Sequence, residues 1–393
     1  MLMKKLLLFG AGKIGRSFIA QIFSKDGYEI IFVDISQSIV DQLNLKRRYP
    51  VHIEDTRRET IWVDKVRALH SSQQKEIIEE ISQCQLIAVS VGRAGLPSTC
   101  ELISKGILLK QERSPQDKTD IIVAENLRDA DLYMRKELML YLPGSFPFEK
   151  VVGIQETSIG KMVPIIPDEV IQQDPLAVYA EAYNTLIVSS GFLNKTPELA
   201  GLSLKKNIKA WVDRKLFIHN LGHSVAAYVG NFLHPDKKFI YEVLKDEKVE
   251  LAARTAMKEA AQVLMHIYPG EFSDEHLEAH IHDLISRFKN VALGDTVFRV
   301  GCDLERKLSR DDRFMSPIRH SIELNLNYSS ILYGYRCAMH FKATSDQGNS
   351  VAKDIEIARE YQNLGIEYIL TNYSGLTPSE ASDLKQVIQI QAL

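Results

Sequence analysis

A short apolar run, Leu6-Leu7-Leu8-Phe9, breaks directly into Gly10-Ala11-Gly12-Lys13-Ile14-Gly15, and Ile14–Phe23 then has helical periodicity. Buried strand, glycine turn and helix, in that order, form the opening unit of a doubly wound parallel sheet. Gly10 permits the tight turn. Gly12 lets the backbone approach a pyrophosphate, and Gly15 lets helix and strand pack closely. The helix N-terminus offers free N–H groups and a partial positive charge to phosphates.

The rhythm continues downstream. Glu29–Val33 reads as a strand, Ser38–Leu45 as a helix, and Leu86–Val91 and Asp120–Ala124 as strongly apolar strands. Tyr49-Pro50 predicts a turn, because the residue before a proline is pushed out of the helical region, and Val51–Val63 reads as extended chain after it. Composition changes after about residue 195. Long helical patterns cover Asn207–Val229, Phe239–Ile267, Asp274–Phe288 and Pro317–Phe341, with breaks at His234-Pro235-Asp236 and Pro269-Gly270 and a polar loop at Ser345–Ser350. A chain of 393 residues, 45% of them hydrophobic, is too long for one compact core. The expected fold class is therefore α/β: a Rossmann-type doubly wound parallel sheet over residues 1–195, then a second, mostly α-helical domain over 196–393.

A net charge of −3 offers no basic face for nucleic acid and no acidic tail. Cys84, Cys100, Cys302 and Cys337 form no CxxC pair, so reduced thiols and a cytoplasmic location are expected. Met1–Lys5 followed by Leu6–Phe9 mimics a secretory signal, but the apolar run stops at Gly10, and Lys13 and Arg16 follow. A signal needs about 7–15 apolar residues. No stretch approaches the roughly 20 apolar residues of a membrane span.

The second strand ends at Phe32-Val33-Asp34, about 20 residues beyond the glycines, where an acidic residue accepts hydrogen bonds from ribose hydroxyls. Ile35-Ser36 follows, with no arginine to receive a 2′-phosphate, which favours NAD over NADP. The competing reading of Asp34 is a turn or helix N-cap carboxylate. Further on, Trp211–His223 carries Lys215, Asn220 and His223. On an α-helix Asn220 lies roughly 140° from Lys215 and His223 roughly 80°, so all three can look into one cleft. A lysine of depressed pKa, an amide donor and an imidazole suit alcohol oxidation. The plainer alternative is an amphipathic helix with a solvated lysine.

Lys215-x4-Asn220-x2-His223 resembles the signature of the long-chain, zinc-independent mannitol dehydrogenase family. The resemblance implies Lys215 as general base and Asn220 as part of an oxyanion hole completed by a second asparagine. Asn126, in Ala124-Glu125-Asn126-Leu127, matches that second position; otherwise it is a helix N-cap. The likeness runs nearly end to end. It includes Phe9–Arg16, Ser90-Val91-Gly92 (with Val91 and Gly92 lining the cofactor site), Asp174-Pro175-Leu176, Arg299-Val300-Gly301, Arg306-Lys307-Leu308, Asp311-Asp312-Arg313 and Ala338–Phe341. Length and pattern favour the compact members that interconvert mannitol 1-phosphate and fructose 6-phosphate. A free polyol or a hexonate is the alternative substrate. Gly160-Lys161-Met162 departs from the family's Asp-Arg pair before Ile-Val-Pro, which bears on substrate recognition.

Arg306 and Lys307, with Arg310 and Arg313, suit a sugar phosphate, or else form a surface network with Asp303, Glu305, Asp311 and Asp312. His276-x3-His280-x-His282 lacks the Glu of an HExxH motif, and no metal site is expected. The expected partner is a small polyol or sugar phosphate. Oligomeric state stays open. A non-catalytic NAD-binding sensor is the remaining reading, though binding alone needs none of Lys215, Asn220, His223 and Asn126.

Overall fold

The computed structural model describes residues 4–55, 58–164, 166 and 168–390. The chain divides into two compact units, with the boundary after Val212.

The first unit is built on an eight-stranded sheet. Its strands are β1 (Lys5–Phe9), β2 (Glu29–Asp34), β5 (Val66–His70), β6 (Leu86–Val89), β7 (Thr119–Val123), β8 (Val152–Ser158), β10 (Leu186–Ser189) and β11 (Leu202–Lys205). Their order is β11-β10-β8-β7-β6-β1-β2-β5, parallel throughout except where β10 runs against β8. Alternate residues feed two cores. Leu6, Leu8, Ile30 and Phe32 pack with Phe18, Ile22 and Val40 on one face. Leu7, Phe9, Ile31 and Val33 pack with Ile81, Ile103 and Met134 on the other. Both faces are covered, which explains why these strands are apolar runs rather than alternating ones. The chain leaves β1 for β2 on one side and β6 lies on the other, so the carboxyl end of β1 is a topological switch point, the usual ligand crevice of such sheets.

A three-stranded sheet was not foreseen. It comprises β3 (Arg48–Ile53), β4 (Glu59–Asp64) and β9 (Val178–Ala180) in the order β4-β3-β9. Tyr49-Pro50 therefore lies within a strand and is not the expected turn. The chain reverses at Arg47, whose φ of 56° caps the preceding helix Gln37–Lys46. Pro50 is tolerated because pairing with β9 begins only at Val51. The unit boundary lies beyond the compositional change near residue 195 because β11 still extends the large sheet.

The second unit is helical among the described residues. Helix Leu221–Leu233 runs through its core, where Gly222 faces Met257 and Gly230 faces Val243 so closely that no Cβ fits. Asp274–Phe288 is a helix as expected. The pattern Phe239–Ile267 splits, because Asp246 accepts the Lys248 N–H at 2.8 Å and starts a new helix, Glu247–Ile267. Pro317–Phe341 also splits. Asn325, left-handed at φ 55°, closes helix Met315–Leu324, and Ser329–Ala338 follows. Among the described residues, no helix is long and apolar enough to cross a membrane.

Candidate active site

The turn after β1 is fixed from every side. Gly10 has φ 96°, and a Cβ there would strike the Ser90 carbonyl oxygen. A Cβ on Gly15 would strike the Gly10 carbonyl, so the helix starts hard against the turn. Above Gly12 the space is open and the residue is exposed, as are Lys13 and, in part, Ile14. The first helical turn, Gly15–Ile19, is π-helical. Asp34 has the turn-carboxylate role weighed for it, and it also faces the glycine turn. Its Oδ1 accepts from Ser36 N–H at 2.8 Å as a turn carboxylate, and its Oδ2 accepts from Ala11 N–H at 2.6 Å across the crevice. A carboxylate has about four acceptor sites, so these two bonds leave lone pairs for further donors.

Two residues of this region escaped the sequence reading, although both stood inside segments singled out by likeness. Arg16 is buried and donates from Nε to the Ala11 carbonyl at 2.7 Å and from Nη1 to the Leu176 carbonyl at 2.7 Å. It thereby ties the glycine turn to the Asp174-Pro175-Leu176 segment. Glu125 accepts the N–H groups of Val91 and Gly92 at 2.7 and 2.8 Å, and holds that loop. Burial raises its pKa, against the lowering by those two donors. Asn126 is exposed just past β7. It is not a helix N-cap, since helix Ala130–Met139 begins after Asp129. Lys161, within the departing segment, is buried, and its ammonium donates to Asn184 Oδ1 at 3.0 Å.

In the second unit, Lys215–Asn220 forms a π-helical segment between helices Ile208–Arg214 and Leu221–Leu233. The Leu221 N–H reaches the Leu216 carbonyl, five residues back. A π-turn returns residue i+5 over residue i, whereas a straight α-helix leaves them roughly 140° apart. Lys215 and Asn220 are such an i,i+5 pair, so the turn draws them toward one face. Arg313, buried and absent from the catalytic expectations, contacts this turn. Its Nη1 lies 3.5 Å from the Asn220 carbonyl and donates to Ser224 Oγ at 3.2 Å, while Asp312 Oδ1 accepts from its Nε at 2.8 Å. Lost hydration, then Arg313 and Arg306, bring the Lys215 pKa down to about 8.

His223 stacks on Phe288 with ring centroids 4.3 Å apart and planes 7° apart. Its Nε2 is 3.5 Å from Asp295 Oδ2. Burial, then Arg299 and other nearby cations, hold its pKa well below the ordinary value, so the ring is neutral. His219 meets Phe288 edge-on at 5.5 Å. Of the two expected phosphate ligands, Arg306 is exposed and pairs with Asp303 and Asp312 at 2.6 and 3.3 Å. Lys307 departs from that expectation. It is buried, and its ammonium donates to the carbonyls of Val300, at 2.6 Å, and Cys302.

Residues 4–201 match the family model of the mannitol dehydrogenase Rossmann domain, and residues 207–372 that of the mannitol dehydrogenase C-terminal domain. Among solved structures, a ternary complex of Pseudomonas fluorescens mannitol 2-dehydrogenase with NAD and D-mannitol superposes with TM-score 0.75 at 14% identity, covering 96% of this chain and 89% of that one. A substrate-free D-sorbitol dehydrogenase superposes with TM-score 0.76 at 15% identity, covering 89% and 83%. These likenesses share the fold described above, a Rossmann-type sheet followed by a mostly helical domain.

Proposed function

Because the chain belongs to the mannitol dehydrogenase family, we propose that it is an NAD-dependent polyol dehydrogenase whose substrate pair is mannitol 1-phosphate and fructose 6-phosphate. The observation that carries the chemistry is Lys215, its pKa brought to about 8, set one π-turn from Asn220, with the neutral His223 in the helix that follows. The first unit fits a dinucleotide. The open space above Gly12, the turn Gly10–Gly15, the Asp34 carboxylate and the Val91-Gly92 loop would hold NAD, with no arginine after Asp34 for a 2′-phosphate. Bound there, NAD supplies the hydride acceptor for oxidation.

The protein's own residues do the rest. Neutral Lys215 takes the proton from the substrate hydroxyl as general base. The Asn220 carboxamide donates to the oxygen as negative charge builds on it, and the exposed carboxamide of Asn126 carries the same chemistry. His223, neutral and stacked, orients a substrate hydroxyl. Arg306 is the better phosphate ligand of the expected pair, since its guanidinium is exposed and suits bidentate contact.

A second reading, a free polyol or hexonate, draws support from Lys307, whose ammonium is committed to backbone carbonyls. The test is NADH oxidation with fructose 6-phosphate beside fructose, tagaturonate and fructuronate. Fructose 6-phosphate is expected to give by far the highest kcat/KM. A higher value with any unphosphorylated sugar would move the assignment to the second reading, and no turnover with any of them would leave an NAD-binding sensor.

A further inference from the structure

We propose that Asp295 is a positioning residue, which fixes His223 as the tautomer protonated on Nε2 and so leaves Nδ1 as the acceptor for chemistry. The role assigned to His223 rests on the functional reading above, whereas the pairing itself does not. Asp295 is buried, and its Oδ2 lies 3.5 Å from His223 Nε2. Neither atom has a hydrogen-bond partner among the described residues. A buried carboxylate oxygen and a buried ring nitrogen left unpaired would each carry a large desolvation penalty. Facing one another, they satisfy each other only if Nε2 carries the proton.

The surroundings hold both partners still. The His223 ring lies flat on Phe288. The Asp295 backbone is pinned, its carbonyl accepting from Ile240 N–H at 2.9 Å, and Thr296 next to it bridges to Phe239 and caps helix Val297–Gly301. Arg299 pairs with the other carboxylate oxygen, Oδ1. That pairing has a consequence for substitution. In Asp295→Asn, Arg299 demands the amide oxygen on its own side. The amide NH2 is then turned toward His223, where it donates to Nε2 and drives the proton to Nδ1.

The experiment is long-range proton–nitrogen NMR of the histidine side chains, with His223 assigned by its loss in His223→Gln, beside steady-state kinetics. The wild type should show an Nε2–H ring. Folded Asp295→Asn should show an Nδ1–H ring, with kcat lowered at least ~10-fold, as a wrong tautomer does elsewhere, and KM largely unchanged. A wild-type His223 protonated on Nδ1 overturns the proposal. So does a folded Asp295→Asn enzyme with the switched tautomer and undiminished kcat. Should Asp295→Asn fail to fold, the wild-type spectrum still decides the pairing. The spectrum does not depend on turnover, so a fully active Lys215→Ala enzyme would remove the functional reading and leave the pairing standing.

Discussion

A lysine can act as a base only while unprotonated, and an ordinary pKa of about 10.4 would leave Lys215 little neutral amine near pH 7. Burial and the Arg313 and Arg306 charges bring the value to about 8. Polyol oxidation should therefore rise as pH passes through about 8, and ketose reduction should fall over the same range. Lys215→Ala should keep NAD binding, lose turnover by ~10²–10⁴-fold and lose that ionisation from the pH profile. Asn220→Ala should lower turnover with the ionisation intact, since it removes a donor and not the base. Rate–pH profiles of the three enzymes check this. Stability follows with its own sign. The native state releases the proton before the unfolded chain does, so the cost of burying the charge is greatest below about pH 8 and is relieved as pH rises. In the nucleotide unit, Asp34→Ala removes the partner of the Ala11 N–H as well as the proposed ribose acceptor. Losing a hydrogen bond to a charged group costs about 1.5–3 kcal/mol, so NAD affinity should fall ~10–100-fold by titration while discrimination against NADP relaxes.

At the scale of single elements, the π-turn marks where local pattern stops being sufficient. The spacing Lys215-x4-Asn220 is plain in the sequence, but straight α-helical geometry sets the two roughly 140° apart. The extra residue in the turn, which corrects that angle, has no periodic signature. Arg313 contacts this turn and contributes to the lowered Lys215 pKa. Arg313→Met should therefore shift the oxidation limb to higher pH, and Arg313→Lys should shift it less because a charge remains. An unmoved limb in a folded Arg313→Met enzyme would show that the contact only braces the helix. Strands β1, β2, β6 and β7 were legible because burial on both faces makes them continuous apolar runs. The sheet β4-β3-β9 was not, because Pro50 signals a turn locally and only its register against β9 makes it acceptable. The two split helices tell the same story, since Asp246 and Asn325 act through capping geometry, which periodicity does not record.

For the whole chain, the change from strand–helix alternation to long helices announced two units correctly. The exact boundary waited on β11, whose pairing is non-local. The same limit applies to the site. Arg313 reaches back 93 residues to Asn220, and Asp295 faces His223 from a loop far along the chain. Spacing reveals partners on one helix, whereas partners brought together by folding leave no such trace. One further prediction belongs at this scale. With Lys215 as the base, the intact enzyme needs no metal to abstract the proton, so prolonged chelation should leave kcat unchanged. Activity lost to the chelator and restored specifically by zinc would contradict that.

Arg16 has a thermodynamic consequence of its own. By bonding the Ala11 and Leu176 carbonyls from a buried position, it holds the glycine turn in one shape within the folded unit itself. The entropy of ordering that turn is thus spent during folding, not at the moment a dinucleotide arrives. A dinucleotide docking at this turn should therefore bind almost rigidly, with little of the contact enthalpy consumed in arranging the loop.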